Sequence, residues 1–120
     1  MLVTAEKLVA DYLQPRMKPP VYVKVPPSRP EVFVRVDSGV PKSQTLVTYE
    51  TTIIIQAYAK SVSTALEALE QAQKLMRTID QETMVYDWEE TAGPYDYPDP
   101  DIAASVVRWQ IVGELTHEKP

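Results

Sequence analysis

The sequence predicts an α+β fold in which one mostly antiparallel sheet carries two helices on one face, in the order α-β-β-β-α-β-β, with a β-hairpin arm projecting from it. Three observations lead to that class. Two stretches repeat apolar residues at helical spacing, five alternate apolar and polar residues with period two, and the strand-like runs fall three before and two after the second helix. The chain has 120 residues, 44% of them hydrophobic and 24% charged, so residues 1–120 read as a single domain long enough to bury a core.

Thr4 stands before Ala5, Leu8, Val9, Tyr12 and Leu13, a series that places one apolar stripe on a helix. Thr4 is the natural N-cap, Val3 and Leu8 flank it at the spacing of a hydrophobic staple, and Pro15 stops the helix near Leu13 or Gln14. Prolines 15, 19, 20, 26, 27 and 30 then bracket two short strands, Val21–Val25 and Val32–Val36. In each the valines share one face, while Tyr22, Lys24, Phe33 and Arg35 point the other way. The link 26–30 holds three prolines and should be a stiff extended loop instead of a tight turn.

The longest strand candidate is Leu46–Ala59, with Val47, Tyr49, Ile53, Ile55 and Ala57 on one face. Fully extended it would reach about 45 Å, against a diameter of about 35 Å for a compact chain of this size. The Leu46 end and the polar loop 37–44 are therefore expected to project as the hairpin arm, which a neighbouring subunit would cover. Ser61 or Ser63 caps a second helix with a broad stripe through Val62, Ala65, Leu66, Leu69, Ala72, Leu75, Met76 and Ile79. Two more strands follow, Met84 to about Thr91 and Ser105–Leu115, separated by a turn-rich loop of aromatics and acids at 92–101. The expected core gathers Leu8, Val34, Ile53, Ile55, Leu66, Leu69, Trp109 and Ile111.

Composition narrows the chemistry. The chain has no cysteine and one histidine, His117, so thiolate sites and disulfides are excluded and neither a histidine metal cluster nor a Ser/His/Asp relay has its parts. Glu89 and Glu90 are neighbours on a strand and face opposite ways, which suits no acid/base pair. No glycine-rich phosphate loop and no nucleophile elbow is present. Asp96, Asp99 and Asp101 miss the calcium-loop spacing, which would want Gly at 101 and Glu at 107. The expectation is a protein without enzymatic activity, cofactor or metal. No apolar run approaches the roughly 18 residues of a membrane helix, and the opening residues lack a basic then apolar leader, so we expect no membrane partner and assembly in the cytoplasm.

The net charge of −5 is unevenly spread: residues 1–77 hold ten Lys and Arg against seven Asp and Glu, and residues 78–120 hold two against ten. Lys18, Lys24, Arg29, Arg35 and Lys42, interleaved with Tyr22 and Phe33, could face nucleic acid. The acidic 80–101 segment of another copy is the better partner, and such a contact between unlike patches makes a ring when its rotation closes.

The run Val25–Val36, a glycine-containing loop, the long strand ending Ile53–Ala59, an Ala/Leu-rich helix and the segment Ala92–Asp101 before a last strand together resemble the tail terminator proteins of long-tailed phages, especially those infecting actinobacteria. The similarity covers about residues 5–115; Ser38-Gly39-Val40-Pro41 departs from it, where a more glycine-rich turn is expected. The resemblance implies a structural virion protein that forms a ring, a homohexamer, at the head-proximal end of the tail tube. It would end tube polymerisation and meet the head completion or stopper protein, and DNA would pass through its lumen without specific binding. Subunit or tube contacts are then expected at Arg29, Arg35, Ser38, Gly39, Val40, Lys42, Gln44, Asp96, Asp99 and Asp101. Two alternatives stand beside it: another connector of the head–tail neck, and a small ligand-binding domain with a pocket between Trp88, Trp109 and Tyr95 or Tyr97.

Overall fold

The fold is described from a computed structural model over residues 4–102 and 105–119. Helix α1 spans Ala5–Leu13, and the Thr4 hydroxyl caps it by accepting the Lys7 amide at 3.3 Å. Val3, the other half of the expected staple, lies outside the described residues. Helix α2 spans Val62–Met76 and is capped by Ser61, which accepts the Thr64 amide at 3.3 Å. The strands are β1 (Val21–Tyr22), β2 (Phe33–Ser38), β3 (Lys42–Ser43), β4 (Thr48–Ala59), β5 (Val85–Asp96) and β6 (Val107–Glu118), with a short 3-10 turn at Ile79–Gln81.

The class is α+β, with one six-stranded sheet of order β1-β2-β4-β6-β5 in which β3 extends along β4. Every pairing is antiparallel except β1 with β2, which is parallel. That exception explains the proline-rich link. A parallel neighbour must be reached by carrying the chain back along the strand, which a tight turn cannot do. The strand expected over 21–25 therefore shortens to Val21–Tyr22, and the pair 21–36 is not a hairpin.

The true hairpin is long: β2 and β3 run along one edge of β4, from Phe33 opposite Tyr58 to Ser43 opposite Tyr49. The register slips by one residue between Ser38 and Lys42, where the Gly39 amide donates to the Thr52 carbonyl at 2.9 Å. Along its other edge β4 is paired with β6 over its whole length, Thr48 opposite Glu118 to Ala59 opposite Val107. The expected arm is therefore backed by the sheet, and the whole molecule lengthens to 46 × 25 × 24 Å to hold the strand.

Strand β5 runs on to Asp96, through residues expected to be loop. An edge strand can take Pro94 because its outer amide has no ladder partner to lose. Gly93 is needed beside it: its φ is +104°, and a Cβ there would lie 2.6 Å from the Gln110 carbonyl oxygen. A register shift between Val85 and Asp87 also breaks the expected alternation, so Val85 and Trp88 face the helices while Tyr86 is exposed.

Both helices cover the same face. Val9 and Leu13 of α1 and Ala65, Ala68, Leu69, Ala72 and Met76 of α2 bury against Val34, Val36, Ile53, Ile55, Ala57, Ile111 and Leu115. The three alanines keep α2 close to the sheet, and the Tyr12 hydroxyl ties the helices together by donating to the Leu75 carbonyl at 2.7 Å. Of the expected core, Val34, Ile53, Ile55, Leu69 and Ile111 are fully buried. Leu8, Leu66 and Trp109 are only half-buried. The buried stripe of α1 centres on Val9 and Leu13 and that of α2 on its alanines, leaving Leu8 and Leu66 at the margins.

Candidate functional site

The contact residues expected from the sequence do not form one patch. Ser38, Gly39, Val40, Lys42 and Gln44 gather at the hairpin end, while Asp96, Asp99 and Asp101 lie at the end of β5 and in the segment after it. Arg29 sits in the crossover between β1 and β2, exposed, in a shallow cleft with Phe33, Lys60 and Ile102. Arg35 is in the middle of the sheet, 3.7 Å from Asp37.

At the hairpin end every residue from Gly39 to Val47 is exposed. The turn is nonetheless well built. The Thr45 hydroxyl accepts the amides of Val47 and Thr48 at 3.2 and 3.0 Å, and the Gln44 amide donates to the Thr48 carbonyl at 3.0 Å. The chain's other end fastens it further: the Lys119 amide donates to the Val47 carbonyl at 2.8 Å, and its ammonium donates to the Ser43 hydroxyl at 2.7 Å. On this firm support Leu46 and Val47 are 96% and 62% exposed, and Val40, in the link between β2 and β3, is 83% exposed. Leu46 and Val47 were outside the expected contact set, although the sequence placed both on the arm. Lys42 is held between Glu50 at 3.7 Å and Glu114 at 3.4 Å, and the Ser38 hydroxyl donates to Glu6 of α1.

Behind the hairpin a buried polar pair joins β4 to β6. Thr51 and His117 are fully or nearly fully buried, with the His117 Nε2 2.7 Å from the Thr51 hydroxyl. Burial lowers the His117 pKa, and a hydrogen bond with the Glu118 carbonyl opposes that in part.

The helix-free face of the sheet is covered at its Arg108 end by the segment that follows β5. Arg108 of β6 is 7% exposed and donates to the Tyr97 carbonyl at 2.6 Å, the Pro98 carbonyl at 3.2 Å and the Tyr58 hydroxyl at 3.2 Å. The Asp99 carboxylate lies 3.5 Å from its guanidinium and accepts from the Asp101 amide at 3.0 Å. Phe33 stacks on Tyr58 with ring centroids 4.4 Å apart. Asp99 is therefore committed within its own chain, whereas Asp96 and Asp101 are exposed and make no ion pair among the described residues. Below this cluster Gln56 donates to Gln110 at 2.9 Å and Gln110 to the Tyr95 hydroxyl, while the Gln56 Oε1 and the Arg35 Nε are buried without a partner.

The aromatic pocket of the ligand-binding alternative does not form. Trp88 and Trp109 pack against the core on the helix side, and Trp88 fills the space that a Cβ at Gly113 would need. Tyr95 and Tyr97 lie on the opposite face, with Gln110 and Arg108. No group of three or more His, Asp or Glu side chains is placed to hold a metal ion among the described residues. No helix is long and apolar enough to cross a membrane among the described residues. No protein-family model matches the chain, and a search of curated proteins finds no match.

Proposed function

We propose that the chain is a structural virion protein whose copies form a ring, a homohexamer, on the head-proximal end of a long-tailed phage tail, ending growth of the tail tube and offering the surface to which the head completion protein joins. The observation that carries the reading is the hairpin end. Val40, Leu46 and Val47 stand bare, the last two on a turn fixed by its own hydrogen bonds and by Lys119, so burying that turn within the chain would break those bonds. Apolar side chains held rigidly in water are characteristic of a surface waiting for a partner. The sequence resemblance supplies the partner class: the tail tube protein, with other copies of the chain alongside. DNA would cross the lumen without specific contacts. Exposed acids that are not used between copies, Asp101 among them, would repel it, while Asp99 is paired with Arg108. Its task is to set a boundary, not to make or break bonds.

Electron microscopy of the purified protein with and without tail tubes tests this. Rings seated at one end of each tube are expected, and the variant Leu46→Ser with Val47→Ser should stay folded and leave the tubes uncapped. A wild-type protein that never binds tubes would overturn the reading in favour of a different role.

A further inference from the structure

Two segments of opposite charge end up on opposite edges of the sheet. Residues 18–29, which carry β1 and most of the crossover to β2, contain Lys18, Lys24 and Arg29 and no acid. Strand β5 contains Asp87, Glu89, Glu90 and Asp96 and no base. All seven side chains are exposed. Glu90 is occupied by Gln73 of α2 at 3.1 Å, and the other six make no ion pair among the described residues. The order β1-β2-β4-β6-β5 puts four strand spacings between the edges, or about 19 Å at the usual separation. That is about twice the Debye length at physiological salt. The two edges therefore do little to neutralise each other within one chain, and each is free to attract the opposite edge of another.

We infer that copies of this chain associate side by side, the β5 edge of one against the β1 edge of the next, through Asp87, Glu89 and Asp96 facing Lys18, Lys24 and Arg29. This names the copy-to-copy surface that the ring reading requires and rests on that reading for closure of the ring. The contact is carried by side chains and not by an added strand. The open edge of β5 is broken by three register shifts and by Pro94, and β1 offers two residues, so neither edge templates a long ladder. The twelve-residue β5 spans about 40 Å, close to the 46 Å length of the molecule, so the acidic edge is long, while the basic residues gather about β1, which the strand registers place level with Asp96. Because the two surfaces differ, each copy keeps a free edge after pairing, and growth ends only when the ring closes.

Sedimentation of the wild type and three variants at low ionic strength tests the assignment. Reversing one edge (Lys18→Glu, Lys24→Glu, Arg29→Glu) or the other (Asp87→Lys, Glu89→Lys, Asp96→Lys) should each weaken self-association about 10-fold or more. Mixing the two reversed proteins should restore assembly, since the all-acidic copy then meets the all-basic one. A control with Lys7 and Lys74 reversed, both on the helices, should associate like wild type, and circular dichroism checks that each variant is folded. A monomeric wild type, reversals that change nothing, or a mixture that fails to reassemble would each overturn the edge contact. Tube capping is scored separately: assembly through the edges without tube binding sinks the terminator reading alone, and tube-capping rings indifferent to the reversals sink the edge contact alone.

Discussion

The two faces of the sheet are both buried at their centres, yet they are built from opposite materials. Beneath the helices Val34, Val36, Ile53, Ile55, Ala57 and Ile111 are fully buried and wholly apolar. On the other face the buried side chains include Gln56, Gln110 and Arg108 beside Phe33 and Tyr58, and the cover is a stretch of the same chain after β5. The first face needs only volume and shape. The second needs acceptors for the Arg108 guanidinium, because a buried guanidinium without them costs far more than a buried methyl gains. The helices are held mainly by packed shape, whereas the segment over Arg108 is held by directed hydrogen bonds.

That contrast can be broken experimentally, and the largest effect should come from the apolar side. Ile111→Ala is expected to cost about 2 to 5 kcal/mol, read by urea denaturation, because the surrounding helices cannot collapse into the gap. On the polar side Asp99→Ala should cost about 2 kcal/mol, less than for a fully enclosed pair because Asp99 keeps 15% side-chain exposure. Its signature should be local: faster amide exchange at residues 97–102 with the helices unchanged. If instead exchange rises uniformly, the two faces are one cooperative unit and the contrast fails.

The buried His117 gives a smaller effect with a defined sign. Burial lowers its pKa below the usual 6.5, so below that pH the unfolded chain takes up a proton more readily than the folded one. Stability should be steady above about pH 6.5 and fall as pH drops from there through the lower folded value. His117→Gln should flatten that part of the profile in thermal melts; an unchanged slope would mean that other groups set it. The smallest effect on stability belongs to the hairpin turn. Leu46→Ser should shift the unfolding free energy by no more than about 0.5 kcal/mol, since Leu46 is 96% exposed and packs on nothing. A larger loss would show that the turn is covered in the free protein.

Deleting residues 38–44, the obvious way to test a free arm, is a poor experiment on this fold. It would remove β3 together with the bond from Ser38 to Glu6 and the Lys42 contacts to Glu50 and Glu114. Point changes at Val40, Leu46 and Val47 keep the ladder and test the surface.

Much of this architecture was legible in the order of residues, because the signals concerned are local. Thr4 and Ser61 announce their helices by what a hydroxyl does for the next turn's amides, and the alternation through Ile53, Ile55 and Ala57 marks a strand wherever that strand lies. The uneven charge of the two halves was likewise plain from the composition. Pairing and cover were not legible, since they depend on segments far apart in the chain. Nothing around Val21 says that it will lie parallel to Val34, and nothing around Asp99 says that Arg108 and Tyr58 will claim it. Bulges shift which residues face inward without leaving a local mark, as at Val85 and Trp88. Local chemistry specified the helices, the long strand and the charge of each segment; three-dimensional packing selected which charges are spent inside the chain and which are left on opposite edges, because that choice rests on distances between strands and not on neighbours in sequence.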